Sequence, residues 1–146
     1  MIGASSTKML SIGMQPKSDQ LCCVVEKLWG WEEWIVNNEK YCGKKLVFKQ
    51  GYRCSLHFHK IKEESFYVLA GTIYLELESN GNKTARIMHA GDVEHISIGV
   101  IHRITALTDA EVMEFSTQHF DEDSHRVEVA SKVDEVTLNA ILSEGF

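Results

Sequence analysis

Residues 51–71 read GYRCSLHFHKIKEESFYVLAG, a stretch that is polar at one end and apolar at the other. Side chains alternate along an extended strand, so His57 and His59 emerge on one face, about 7 Å apart along the chain, with Phe58 on the other. Two imidazoles placed in this way can converge on one ion. Glu64 follows a short turn and shares parity with Phe66 and Val68, which brings its carboxylate into the same interior at the rim of the next strand. A third imidazole, His102, comes later on a strand entered through Gly99. Three neutral nitrogens and a carboxylate suit a divalent first-row ion, Zn, Fe, Mn, Ni or Co, with positions left for water or substrate. A lone histidine is more often a surface or satisfied core residue than a ligand; the flanking pattern singles these out.

Outward from this stretch the chain is a succession of short runs: LCCVVEKL, WEEWIVNN, KKLVFKQ, RCSLHFH, SFYVLA, TIYLELE, ARIMH, HISI, HRITAL and EVMEFST. Each is rich in β-branched and aromatic residues, and turn signals such as Gly51, Gly71, SNGN and AGD lie between them, which predicts an all-β sandwich or barrel. In TIYLELE the alternation puts Ile73, Leu75 and Leu77 on the core face and Tyr74, Glu76 and Glu78 on the wet one. Residues 1–19 read as a flexible arm, 20–130 as the barrel and 131–146 as a helical tail, where Val133, Val136, Leu138 and Ile141 recur at helical spacing. Trp29, Trp31 and Trp34 fall around a turn and are expected to cover a barrel end or a subunit interface. The strands CVVEKL and EEWIV suit extension of a sheet across a two-fold axis, which predicts a homodimer.

The 146 residues fit one domain, and an apolar fraction of 44% with a single proline supports a real core. The net charge is −6 and the basic residues are scattered, so the footprint of a nucleic-acid binder is missing. No apolar run approaches the roughly 18 residues of a membrane span, and residues 1–20 lack the apolar core of a secretory signal, so the expected location is cytoplasmic. Cys22 and Cys23 are adjacent, and with Cys42 and Cys54 they form no CxxC spacing; free buried thiols are expected rather than a disulfide framework. His89, His95, His119 and His125 read as surface or turn residues, the last two as possible rim contacts.

Residues 51–71 also fit the first cupin motif: a glycine, five residues, HxH, a short spacer, a glutamate, six residues and a glycine. Glu63 fits the shorter spacer, but only Glu64 leaves six residues before Gly71. Residues 91–102, GDVEHISIGVIH, fit the second motif, with Ser97 where proline is usual; Ala106 stands where an asparagine usually ends it. The resemblance implies a double-stranded β-helix, the jelly-roll barrel of the cupins, with a metal in its mouth bound by His57, His59, Glu64 and His102; the short C-terminal helix is expected from the spacing in the tail.

The stretch LWGWEEWIVNNEKYCGKKLVFKQGYRCSLHFH is further similar to the opening of the cupin portion of type II mannose-6-phosphate isomerases, as is GVIHRITALTDAEVMEFSTQHFDEDSHRV to its later part. Together these cover roughly residues 28–127. This resemblance implies metal-dependent aldose–ketose isomerisation of a sugar or sugar phosphate. It places Lys49, Arg103 and Arg126 near the substrate, Arg126 matching the arginine after the acidic run. Glu114, in parity with Val112 and Ser116, is the candidate base, and with Arg126 makes up the candidate catalytic pair. The chain departs from that family in having His57 where glutamine is frequent, EVASKVDEV in place of a second arginine-ended acidic run, and no counterpart of a nucleotidyltransferase region. Two other readings stay open: a non-catalytic carbohydrate-binding or regulatory cupin, and a metal-dependent oxygenase. An oxygenase would have an apolar pocket; an isomerase would have an inward-facing basic group near the metal.

Overall fold

The computed structural model describes residues 7–9 and 23–144. Their strands are β1 (Thr7–Met9), β2 (Cys23–Lys27), β3 (Gly30–Asn37), β4 (Cys42–Phe48), β5 (Tyr52–Arg53), β6 (Leu56–Phe58) and β7 (Glu64–Ala70). There follow β8 (Thr72–Ser79), β9 (Asn82–His89), β10 (Val93–Ile96), β11 (Ile101–Ala106), β12 (Ala110–Ser116), β13 (His125–Glu128) and β14 (Ser131–Lys132). A 3₁₀ turn at Asp121–Asp123 precedes β13, and the helix α1 spans Glu135–Glu144.

Every pairing is antiparallel. One sheet runs β1-β2-β3-β4-β12-β7-β10. The other is built on β11, which pairs with β8 on one edge and with β6 and β5 in succession on the other. β9 lies beyond β8, β13 beyond β6 and β14 beyond β5. The two sheets close over one core as the expected cupin jelly roll.

Alternation decides what fills it. Leu46 and Phe48 from β4, Phe66 and Val68 from β7, and Val112 from β12 face Ile73 and Leu75 of β8 and Ile104 of β11, all buried. Trp29 stacks on Phe48 with ring centroids 4.1 Å apart. The same inward positions turn polar toward one end of the barrel: Lys44 before Leu46, Glu64 before Phe66, Glu114 after Val112, His102 before Ile104, all buried. A row of charged groups at the end of an apolar core is the local origin of the site.

Gly71, between β7 and β8, has φ of 81° and so uses the left-handed region that side chains avoid. It is also crowded, since a Cβ there would lie 2.2 Å from the Asp109 carbonyl oxygen. Gly51, with φ of 83°, has nothing within 4 Å of that position.

The run RCSLHFH is two strands, broken at Cys54 and Ser55. The tail divides as well: Ser131 and Lys132 pair with Arg53 and Tyr52, and helix begins only at Glu135. Ile141 is buried while Val136 is 80% exposed. At the amino end Thr7–Met9 pairs with Cys23–Val25; the rest of the expected arm, and Cys22, lie outside the described residues. Cys42 and Cys54 are free thiols, and burial pushes Cys54 up to about 11. No helix among the described residues is long and apolar enough to cross a membrane.

Candidate metal centre

β6 and β11 pair with His57 opposite His102, and His59 follows β6 two residues on. The three rings offer ligand nitrogens that all lie within 4.8 Å of one another. Glu64 enters from the first residue of β7 in the facing sheet, its Oε2 3.2 Å from His59 Nε2 and 3.0 Å from His102 Nε2. The structure thus brings together His57, His59, Glu64 and His102. Glu63 points away to the surface, where its carboxylate meets His95 at 2.9 Å.

Each ring is oriented through its other nitrogen. His57 Nδ1 donates to the Ser55 carbonyl at 2.9 Å, His59 Nδ1 to the Asp123 carbonyl at 3.1 Å, and His102 Nδ1 to the Val100 carbonyl at 2.9 Å. A carbonyl only accepts, so each neutral ring carries its proton on Nδ1 and presents a bare Nε2. His59 Nε2, His102 Nε2 and Glu64 Oε2 are accordingly buried with no hydrogen bond made. Buried acceptors facing one another without a donor are costly, and a cation among them removes that cost. Backbone carbonyls on the remote nitrogens are the support that histidine ligands ordinarily have. The donor set fits a divalent first-row ion.

Protonation follows from the same geometry. Burial, reinforced by the neighbouring His102, pushes His57 down to about 3, which keeps it neutral and ready to ligate. Burial works to raise Glu64, but the Lys62 ammonium 3.6 Å from its Oε1 draws the carboxyl below the ordinary range.

Around this cluster lies a cavity of about 890 Å³. Glu114 lines it from β12, and its Oε2 accepts a hydrogen bond from Lys62 Nζ at 2.7 Å. Lys62 also stands 3.6 Å from Glu64 Oε1 and donates to His119 Nδ1 at 3.1 Å. Burial alone would lower Lys62, but Glu114 and Glu64 raise it above an ordinary lysine. His119 in turn donates from Nε2 to Asp121 at 2.9 Å. Arg126 lies on β13 opposite His57 and lines the mouth.

Two of the expected substrate residues do not line the cavity. Lys49 is exposed, above the Tyr52 ring. Arg103 is buried on the outer face of β11, where Nε donates to the Cys54 carbonyl at 3.2 Å and Nη2 meets Glu128 at 3.0 Å. The cavity cations that the sequence reading missed are Lys27, Lys44 and Lys62. Lys44 had a signal, its shared parity with Leu46 and Phe48; Lys62 sits in a turn and had none. Of the tryptophans, Trp29 and Trp34 line the cavity, and Trp31 donates to Glu33 instead.

The segment DEDSHRV has a second role. The Asp123 carboxylate accepts from the backbone amides of Lys60, Ile61 and Lys62 at 2.9–3.3 Å. It pins the turn between β6 and β7 while its carbonyl orients His59.

No curated protein matches the sequence. Among solved structures, the chain is similar to an oxalate decarboxylase variant from Bacillus subtilis, with a TM-score of 0.67 and 18% identity over 73% of this chain and 30% of that one. CapF in complex with 3-isopropenyl-tropolone gives 0.65 and 20% over 73% and 34%. This chain therefore spans about a third of the length of those two. KdgF from Halomonas sp. gives 0.56 and 22%, over 63% of this chain and 81% of that one. At these identities the likeness is one of fold, and none of the three is a mannose-6-phosphate isomerase. The sequence profile described as Cupin domain matches residues 45–117, half of the chain, and includes His57, His59, Glu64 and His102; the chain belongs to the cupin family.

Proposed function

We propose that this cupin interconverts the aldose and ketose forms of a sugar phosphate. The observation that carries the reading is the Lys62–Glu114 pair, a buried ammonium and carboxylate 2.7 Å apart on the cavity wall beside Glu64. An ion held by His57, His59, His102 and Glu64 would supply the Lewis acid that such a reaction requires. Glu114 is the base: it takes the proton from the hydroxyl-bearing carbon and returns it to the neighbouring carbonyl carbon, while the hydroxyl proton passes to the carbonyl oxygen. Lys62 donates to Glu114 and fixes its carboxylate against the cavity wall. Arg126, at the mouth opposite His57, is a donor to the sugar's oxygens beside the metal cluster. An oxygenase would call for an apolar pocket; Trp29, Trp34, Leu46, Phe48 and Phe66 supply apolar wall, but the four cations and four carboxylates set among them speak against one.

The test is incubation of the protein, loaded in turn with Zn, Mn, Fe, Ni and Co, with aldose and ketose phosphates in deuterium oxide. Interconversion with deuterium at the carbon is expected, and Glu114→Gln should lower kcat by about 10²-fold or more while retaining the metal. No turnover with any of the ions would defeat the isomerase reading, and tight sugar binding without conversion would favour a non-catalytic cupin. A second copy paired along the β1–β2 edge belongs to the same proposal; light scattering that returns a monomer removes it.

A further inference from the structure

Lys44 is the most enclosed cation of the cavity, 1% exposed. It lies on the inner face of β4 opposite Glu114 of β12, which is opposite Phe66 of β7. Because β7 also carries Glu64, Lys44 stands two strands across and two residues along from that ligand, about 12 Å between backbones at ordinary sheet geometry. The cluster and this ammonium are two ends of one cavity floor.

An ammonium has three donors. Lys44 directs one to Glu32 Oε1 at 3.4 Å, long beside the roughly 2.7–2.9 Å of a good charge-assisted bond. That oxygen is already engaged by Trp34 Nε1 at 2.8 Å, and Lys27 approaches the other oxygen of Glu32 at 3.9 Å. The Trp34 ring lies 4.1 Å from Lys44 Nζ and closes one side. The remaining donors of Lys44 have no acceptor among the described residues. A buried charge is costly unless it is paired and hydrogen-bonded, and this one is partly paired at the wall of a cavity large enough for a ligand.

The charge of the lining points the same way. Its cations are Lys27, Lys44, Lys62 and Arg126, and its carboxylates Glu32, Glu64, Glu114 and Asp121. They cancel formally, so a divalent ion on the histidine cluster leaves the cavity positive in a chain whose net charge is −6.

We infer that Lys44, walled by Trp34 and Glu32, is a subsite for a terminal oxyanion, phosphate or carboxylate, of a ligand whose other end lies at the histidine cluster. The inference rests on reading the cavity as a metal-dependent small-molecule site. An extended chain of about six carbons with a terminal oxyanion bridges that distance at C–C bond lengths near 1.5 Å.

The experiment is calorimetric titration of the zinc-loaded protein with sorbitol, sorbitol 6-phosphate and gluconate. At least one anion should bind about tenfold or more tighter than sorbitol, and which of the two wins tells phosphate from carboxylate. Lys44→Met keeps most of the apolar stem and should abolish that preference with zinc stoichiometry unchanged by elemental analysis. Glu32→Gln removes the competing carboxylate and should tighten the anion several-fold, so it decides the matter if Lys44→Met fails to fold. No preference in the wild type, an intact preference in Lys44→Met, or no tightening in Glu32→Gln would each overturn the subsite. An intact wild-type preference lost in Lys44→Met, without sugar turnover, upholds the subsite and removes only the isomerase reading. Turnover accompanied by an unchanged preference in Lys44→Met does the reverse.

Discussion

Asp123 joins two parts of the centre that lie far apart in the chain. Its carbonyl holds the proton of His59, and its carboxylate collects the amides of Lys60, Ile61 and Lys62. Those amides belong to the turn that delivers Lys62 and Glu64. Asp123→Ala leaves three donors in that turn without their acceptor and should cost about 1–3 kcal/mol in urea unfolding. The backbone carbonyl survives the substitution, so the effect on the metal passes through the turn; a chelator competition should show affinity lower by about tenfold to a hundredfold. Unaltered zinc affinity in a destabilised Asp123→Ala would mean that the turn does not position Glu64. The histidines and Glu64 were legible from HxH spacing and strand parity. Asp123 was visible only as part of DEDSHRV, an acidic run for which the sequence offered Arg126 as the reason. Its partners lie more than sixty residues away, and no local pattern encodes such a contact.

At the scale of the element, alternation carried most of the information. The period of two that put His57 and His59 on one face also puts Lys44 inward and Lys49 beyond the end of β4, and it turns Arg103 away from the cavity next to an inward His102. The places where a run breaks were less legible. Cys54 and Ser55 interrupt RCSLHFH where the chain moves from pairing β14 to pairing β13, and Arg53 bonds Ser131 across 78 residues. Turn glycines show a similar division. Both Gly51 and Gly71 have positive φ, which costs a side chain about 1–2 kcal/mol. Only Gly71 meets the backbone of Asp109 and Ala110 as well. Gly51→Ala should therefore lose about 1–2 kcal/mol and Gly71→Ala clearly more, compared by urea midpoints. Equal losses would mean that the β7–β8 turn yields to the added methyl.

Over the whole molecule, an acidic chain folds around a cavity whose own charges balance, and that balance makes stability depend on pH. Burial works to raise the Glu32 carboxyl, but Lys44, Lys27 and the Trp34 N–H hold it below the ordinary range. A folded pKa below the unfolded one gives stability that is complete above about pH 4.3, the unfolded value, and is lost as pH falls through the folded value. The difference in unfolding free energy between wild type and Glu32→Gln should thus shrink as pH drops below about 4.3. A difference that stays constant through that range would show that Glu32 contributes through shape alone. The bond from His59 to the Asp123 carbonyl also bears on the order of events during synthesis. A nascent chain has made His57, His59 and Glu64 long before the residue that holds the His59 proton has been polymerised. Until β11 has brought His102 and the segment around Asp123 has folded back, the emerging chain holds only part of a ligand set. Capture of the ion then marks the completion of the fold, and a ribosome stalled before residue 123 would display the histidine pair without the centre.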